Sequence, residues 1–190
     1  MKHETEQLNP TQSLELITFM IQQAKGNVQR NSFHFLLWGW VTVIANLGMF
    51  TLYKLNYQYP YIVWLITIPA WGISMYRMFT TQRTNAASSH LDKVTVAIWL
   101  SYAVAIFTII AFGFKVNFQI PALILLFTGI PTFVSGMIIR FKWLKIGGII
   151  FWIGAMICFL VPVDVQALVS GIALLFGYLV PGYKLKSSAA

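Results

Sequence analysis

The sequence predicts an all-α polytopic membrane bundle, with six transmembrane helices preceded by an amphipathic helix and both termini cytoplasmic. Three observations carry this. Of 190 residues, 58% are hydrophobic and only 9% charged, whereas a soluble domain is about 25% charged because its surface meets water. Mean hydropathy is +0.72, and the apolar residues fall into runs near the roughly 20 residues that cross a bilayer core of about 30 Å. The basic residues collect in the links between those runs, so the net charge of +8 is a topology signal and not a nucleic-acid footprint.

Residues 1–32 form the first unit. Asn9-Pro10 reads as a helix start, with the asparagine capping and proline in the first turn. Leu14, Ile17, Ile21, Ala24 and Val28 recur at three- and four-residue spacing, which places one apolar stripe along a helix. Such a helix lies in the membrane interface, packs on the bundle's cytoplasmic end or pairs with a partner. The segment lacks the basic start, short apolar core and small-residue cleavage site of a signal peptide, so the first span is expected to act as the insertion signal.

The transmembrane domain, residues 33–183, divides into spans at about 33–53, 61–79, 94–114, 118–139, 146–163 and 165–183, and residues 184–190 form a cytoplasmic tail. Ser89 and Asp92 have capping-box spacing before the third span. Between spans five and six only Pro162-Val163-Asp164 makes the turn, with Asp164 a candidate N-cap. Lys2, Lys25, Arg30, Arg77, Arg83, Lys93, Arg140, Lys142, Lys145, Lys184 and Lys186 share one side, while Lys54 and Lys115 fall on the other. Eleven against two orients the chain by the positive-inside rule. The outer loops carry Tyr53, Tyr57, Tyr59, Tyr61 and Trp64, the composition of an interfacial belt.

A weak internal echo links span two, Ile-Pro-Ala-Trp-Gly-Ile-Ser-Met at 68–75, with span four, Ile-Pro-Thr-Phe-Val-Ser-Gly-Met at 130–137. Proline within a span removes a backbone hydrogen bond and kinks the helix. Matched kinks at Pro69 and Pro131 either expose carbonyls to a solute, as in transporters, or are satisfied locally by Thr128, Thr132 and Ser135. Small and weakly polar residues line most spans: Gly39, Thr42 and Asn46; Thr67, Ala70 and Ser74; Ala97, Ser101, Ala105 and Thr108; Thr128, Thr132 and Gly136; Gly154, Ala155 and Cys158; Ser170, Ala173 and Gly177. In lipid such stripes mark close helix contacts, and the same residues would line a narrow polar path. The candidate pore or contact residues are therefore Asn46, Thr42, Pro69, Ser74, Thr128, Pro131 and Thr132.

No acidic or basic residue lies in the middle of a span, which argues against a carrier that couples transport to an ion through an intramembrane carboxylate. No catalytic residues are expected: the chain has no metal-binding His-Glu-x-x-His helix, no Gly-x-Ser-x-Gly elbow and no paired carboxylates. No metal or cofactor is expected either. Cys158 is the only cysteine and His34 the only histidine in a span, so thiolate clusters and bis-histidine haem lack ligands. One local group has chemistry in it. Arg140, Lys142 and Lys145 stand beside Gly147 and Gly148 at the start of span five, where cations and free helix N–H groups suit an anionic lipid or phosphate.

The runs FHFLLWGW at 33–40, SGMIIRFKWLKIGGIIFW at 135–152 and GYLVPGYKLK at 177–186 resemble those of a group of small bacterial six-span membrane proteins without assigned activity. The resemblance covers the chain from about Leu14 onward and implies a multi-pass bacterial inner-membrane protein. The function expected from the residues is a non-enzymatic assembly or regulatory module, with membrane lipids and a second copy or a protein as partners and no nucleic acid. A small channel or transporter for an uncharged or weakly polar solute is the alternative.

Overall fold

A computed structural model describes residues 10–82 and 90–188, and every regular element among them is helical. The chain runs α1 (Pro10–Lys54), a 3-10 helix (Pro60–Ile66), α2 (Thr67–Gln82), α3 (His90–Ala111), a second 3-10 turn (Gly113–Val116), α4 (Ile120–Ile138), α5 (Lys142–Leu160), α6 (Val163–Leu174), a π-helical turn (Leu175–Leu179) and α7 (Val180–Ser187). Among the described residues, five helices are long and apolar enough to cross a membrane: Ser32–Lys54, Lys93–Ala111, Ile120–Ile138, Lys142–Leu160 and Val163–Ser187.

The expected boundary between an amphipathic helix and the first span is absent. Residues 10–54 form one helix of 45 residues, about 68 Å long at 1.5 Å per residue. Neither proline nor glycine falls between Gly26 and Gly39, so nothing local ends the helix there. At its far end Asn56 adopts a left-handed conformation (φ 52°). Tyr57 and Asn56 return N–H groups to the carbonyls of Leu52 and Tyr53 at 3.0 and 3.1 Å, a Schellman closure that asparagine tolerates. Asn9 and the Ser89 capping position lie outside the described residues, although α3 does begin at His90.

The segment expected to be span two changes helix type. Pro60 opens a seven-residue 3-10 helix, and α geometry begins at Thr67. Pro69 therefore falls in the first turn of α2, where a missing N–H costs little, and it is exposed. Pro131 is fully buried in the middle of α4, which continues through it. The two prolines are not counterparts, and the pairing of kinks read from the sequence does not hold in the fold.

The core is built by α1, α4, α5 and the α6–α7 column, around Leu125, Leu144, Phe151, Ala155 and Cys158. The α4–α5 hairpin turns on Arg140 (φ 54°), with N–H groups of Arg140 and Phe141 bonded to Met137 and Gly136 carbonyls. This is the Schellman pattern with arginine where glycine is usual. Helix α1 runs antiparallel to the last column. Gly171 faces Asn46 and Leu47, Gly39 faces Tyr178 and Leu179, and Gly182 faces Leu36. Lys54 meets Asp164 at 3.2 Å, so Asp164 lies in the first turn of α6 and pairs across the bundle, whereas the N-cap itself is Pro162.

Helices α2 and α3 sit at the margin. The Trp38 indole N–H donates to Ser74 Oγ at 3.2 Å, and the Arg77 guanidinium stacks 3.9 Å over the Phe33 ring. On α3 the expected contact stripe holds only at Ala105, which is half-buried: Ala97, Ser101 and Thr108 are exposed, and the large side chains of Trp99 and Tyr102 reach α4. The reason is that Ser101 and Thr108 satisfy their hydroxyls on Ala97 and Val104 carbonyls of their own helix, so they tolerate an apolar surround.

Candidate functional site

The polar groups at the centre of the bundle belong to α3, α4 and the π turn. On α4, Thr128 and Thr132 recur one turn apart and are 2% and 0% exposed. Each hydroxyl donates to the carbonyl one turn back, Thr128 to Ile124 at 2.6 Å and Thr132 to Thr128 at 2.8 Å. The Tyr102 hydroxyl shares a 2.8 Å hydrogen bond with Thr128 Oγ1, the Trp99 indole donates to Ser135 Oγ at 3.3 Å, and Tyr178 bonds the Thr132 side chain. Aromatic rings enclose this ladder. Phe35 lies 5.6 Å from Tyr178 and 6.0 Å from Trp99, and Phe151 lies 4.9 Å from Tyr178.

The π turn places Tyr178. Pro181 lacks the N–H that would bond the Gly177 carbonyl in an α-helix, and the Val180 N–H reaches back five residues to Leu175. The turn widens there, as π-bulges do, and the Gly177 carbonyl is turned onto Gly147 of α5.

Near the opposite end, a second polar group joins α4, α5 and α6. Gln166 is 0% exposed. Its Nε2 donates to Gln119 Oε1 at 2.6 Å and to the Val161 carbonyl at 3.3 Å, while its Oε1 has no protein partner. The Cys158 thiol donates to the Gln166 carbonyl at 3.7 Å and lies 3.6 Å from Ser170 Oγ.

The candidates read from the sequence divide among separate interfaces. Asn46 is buried and donates Nδ2 to the Thr42 carbonyl at 2.8 Å, and Thr42 donates to the Trp38 carbonyl at 2.6 Å. Ser74 belongs to the α1–α2 contact, Thr128, Pro131 and Thr132 to the centre, and Pro69 to the exposed start of α2. Of the basic group, Arg140 and Lys142 are exposed and Lys145 is half-buried. Gly147 and Gly148 lie a turn inside α5 and are buried against Gly177 of the last column and Phe133 of α4. Their N–H groups are past the four that a helix leaves free, so these glycines serve close packing, and an anion at this end would be held by the cations and the first-turn amides.

Sequence reasoning missed Trp99, Tyr102, Tyr178, Gln119 and Gln166. None of the three aromatics carries a motif: Trp99 and Tyr102 are joined to the group only by meeting Ser135 and Thr128 across the α3–α4 contact, and Tyr178 only by reaching Thr132 from the π turn. The glutamines sit at the ends of apolar runs, where they read as polar flanks.

Hydroxyls, indoles and amides bonded to one another supply helix-to-helix cohesion, and among the described residues no three His, Cys, Asp or Glu side chains gather as a metal site. The fold is thus a helical bundle of the multi-pass membrane class whose buried polar groups join helices. No protein family matches the chain, and neither does any curated protein or solved structure.

Proposed function

We propose that this chain is a six-span integral membrane protein with both termini cytoplasmic, acting as a non-enzymatic assembly module that joins a second copy or a protein partner through its N-terminal helix. The sixth crossing is the Pro60–Gln82 segment. At about 2.0 Å per residue for seven 3-10 residues and 1.5 Å for sixteen α residues, it reaches about 38 Å, enough for a core of about 30 Å. The charge bias of eleven against two supports the orientation.

The observation that carries the assembly reading is the unbroken α1. In the registers set by Phe33 against Arg77 and by Leu36 against Gly182, residue 28 is level with the last residue of α2 and residue 31 with the last residue of α7. Residues 10–27 therefore extend about 27 Å past those ends at 1.5 Å per residue. A helix continuous with a membrane span cannot also lie flat on the membrane, so its apolar stripe is directed to protein. The core supports the same reading, because Thr128, Pro131 and Thr132 are buried in the bundle and Pro69 stands apart from them, exposed at the start of α2.

The test is the molecular mass of the full chain in mild detergent, alone and after capture from membranes, beside Ile17→Lys/Ile21→Lys. An oligomer or a stoichiometric protein partner that is lost in the double variant supports the proposal. A monomer without partner in both, or an assembly indifferent to the substitutions, overturns it.

A further inference from the structure

Trp143 is the second residue of α5 and half-buried. The Lys142 ammonium lies 5.7 Å from the centre of its ring, and the Lys184 ammonium, from the last turn of α7, lies 5.7 Å from the same centre. Two cations from different helices thus share one indole, at a distance where the ring attracts each of them, and stand no farther apart than twice that length. Arg140 projects from the adjoining turn, and Lys145 and Lys186 follow one turn or less along each helix. Like charges converging this way repel, and the repulsion is relieved by an anion.

The described side chains offer none at this end. Asp164 is the one acidic residue whose side chain is described, and it lies at the other end of the bundle on Lys54. Helix α5 also begins without a side-chain acceptor, since its N-cap is Phe141, so the first-turn amides of Lys142 and Trp143 point the same partial charge outward. An amphipathic ring flanked by two ammoniums at the end of a spanning helix matches a lipid headgroup, with the indole at the glycerol level and the cations on the phosphate.

We infer that Lys142, Trp143 and Lys184 form a binding site for the phosphate group of an anionic membrane lipid. The site rests on the membrane reading and is independent of the assembly proposal. It differs from the group read in the sequence: Trp143 and Lys184 enter it, and Gly147 and Gly148 leave it.

The experiment is native mass spectrometry of the full chain in neutral detergent, titrated with phosphatidylglycerol, phosphatidylcholine or inorganic phosphate. Wild type is compared with Lys142→Gln/Lys184→Gln and with Lys145→Gln/Lys186→Gln, which removes the same charge from the same end. All four lysines are exposed or half-buried, so both variants keep the fold, checked by helical circular dichroism. The expected result is preferential phosphatidylglycerol adducts, weakened about tenfold in the first variant and much less in the second. Equal weakening in both variants, no weakening in either, or no preference over phosphatidylcholine overturns the site. Inorganic phosphate that binds as well as the lipid and displaces it overturns the lipid as occupant, whereas lipid binding unmoved by phosphate supports it.

Discussion

The carbonyl oxygen of Gly177 rests on Gly147, filling the space in which a side chain at residue 147 would begin. The oxygen is available because Pro181 offers it no N–H, and the π turn at Leu175–Leu179 aims it across to α5. Gly147 and the Gly177–Pro181 turn, distant in sequence, thus make one close helix contact of the kind that holds membrane helices together.

Gly147→Ala should therefore be costly, because the obstructing atom is backbone and cannot rotate away. The expected loss is about 2 kcal/mol, within the range for overpacked interiors. Gly171→Ala meets only Leu47 and Asn46 side-chain atoms at 3.4 Å and beyond, and Gly72→Ala meets nothing within 4 Å. The first should be near neutral. The second should stabilise by up to about 1 kcal/mol, since alanine favours helix over glycine. Thermal or denaturant unfolding in detergent should rank the three in that order.

The Tyr102–Thr128 hydrogen bond ties the marginal α3 to the core. Removing either hydroxyl, by Tyr102→Phe or Thr128→Val, should cost about 1 kcal/mol, and the double variant should show a coupling of about 0.6 to 1.7 kcal/mol. Additive losses in the unfolding midpoint would mean that the two hydroxyls do not act as a pair. Limited proteolysis should also find α3 released before α4 and α5, because fewer of its side chains are buried.

Helix positions were legible in the sequence because apolar run length is a direct consequence of bilayer thickness. Runs at 118–139 and 165–183 became α4 and the α6–α7 column within a few residues. Three features were not legible for physical reasons. Continuity of α1 depends on the absence of a breaker between Gly26 and Gly39, and amphipathic spacing cannot distinguish a helix that stops from one that runs on. The different fates of Pro69 and Pro131 depend on where each α-helix begins, which flanking composition alone does not determine. The face of α3 was misread because small residues satisfy their own hydroxyls equally well in lipid or in a contact, and only the bonds of Trp99 and Tyr102 to α4 decide it.

The Lys54–Asp164 pair joins the ends of α1 and α6 at 3.2 Å with both side chains well exposed. An exposed pair contributes little, about 0.2 to 1 kcal/mol, and is screened by salt. Asp164→Asn should lower the unfolding midpoint only slightly at low ionic strength and not at all at high salt. A larger, salt-insensitive loss would assign Asp164 a role in starting α6 beyond its pairing.

Gln119 and Gln166 provide the sharpest test of how the far end is held. Gln166 is wholly buried and donates to Gln119 Oε1 and to the Val161 carbonyl, yet its own Oε1 lacks a protein partner. Gln119→Leu removes one acceptor and leaves the buried amide still less satisfied, so it should cost about 1 to 3 kcal/mol. Gln166→Leu removes the amide together with its orphan oxygen and should cost less. The double variant replaces both partners by apolar groups of similar size and should recover most of the loss of Gln119→Leu, because nothing polar is then stranded. Unfolding midpoints of the three variants decide the matter. A double variant less stable than Gln119→Leu would show that the Gln166 oxygen is satisfied by a bound water worth keeping, as buried polar groups often are.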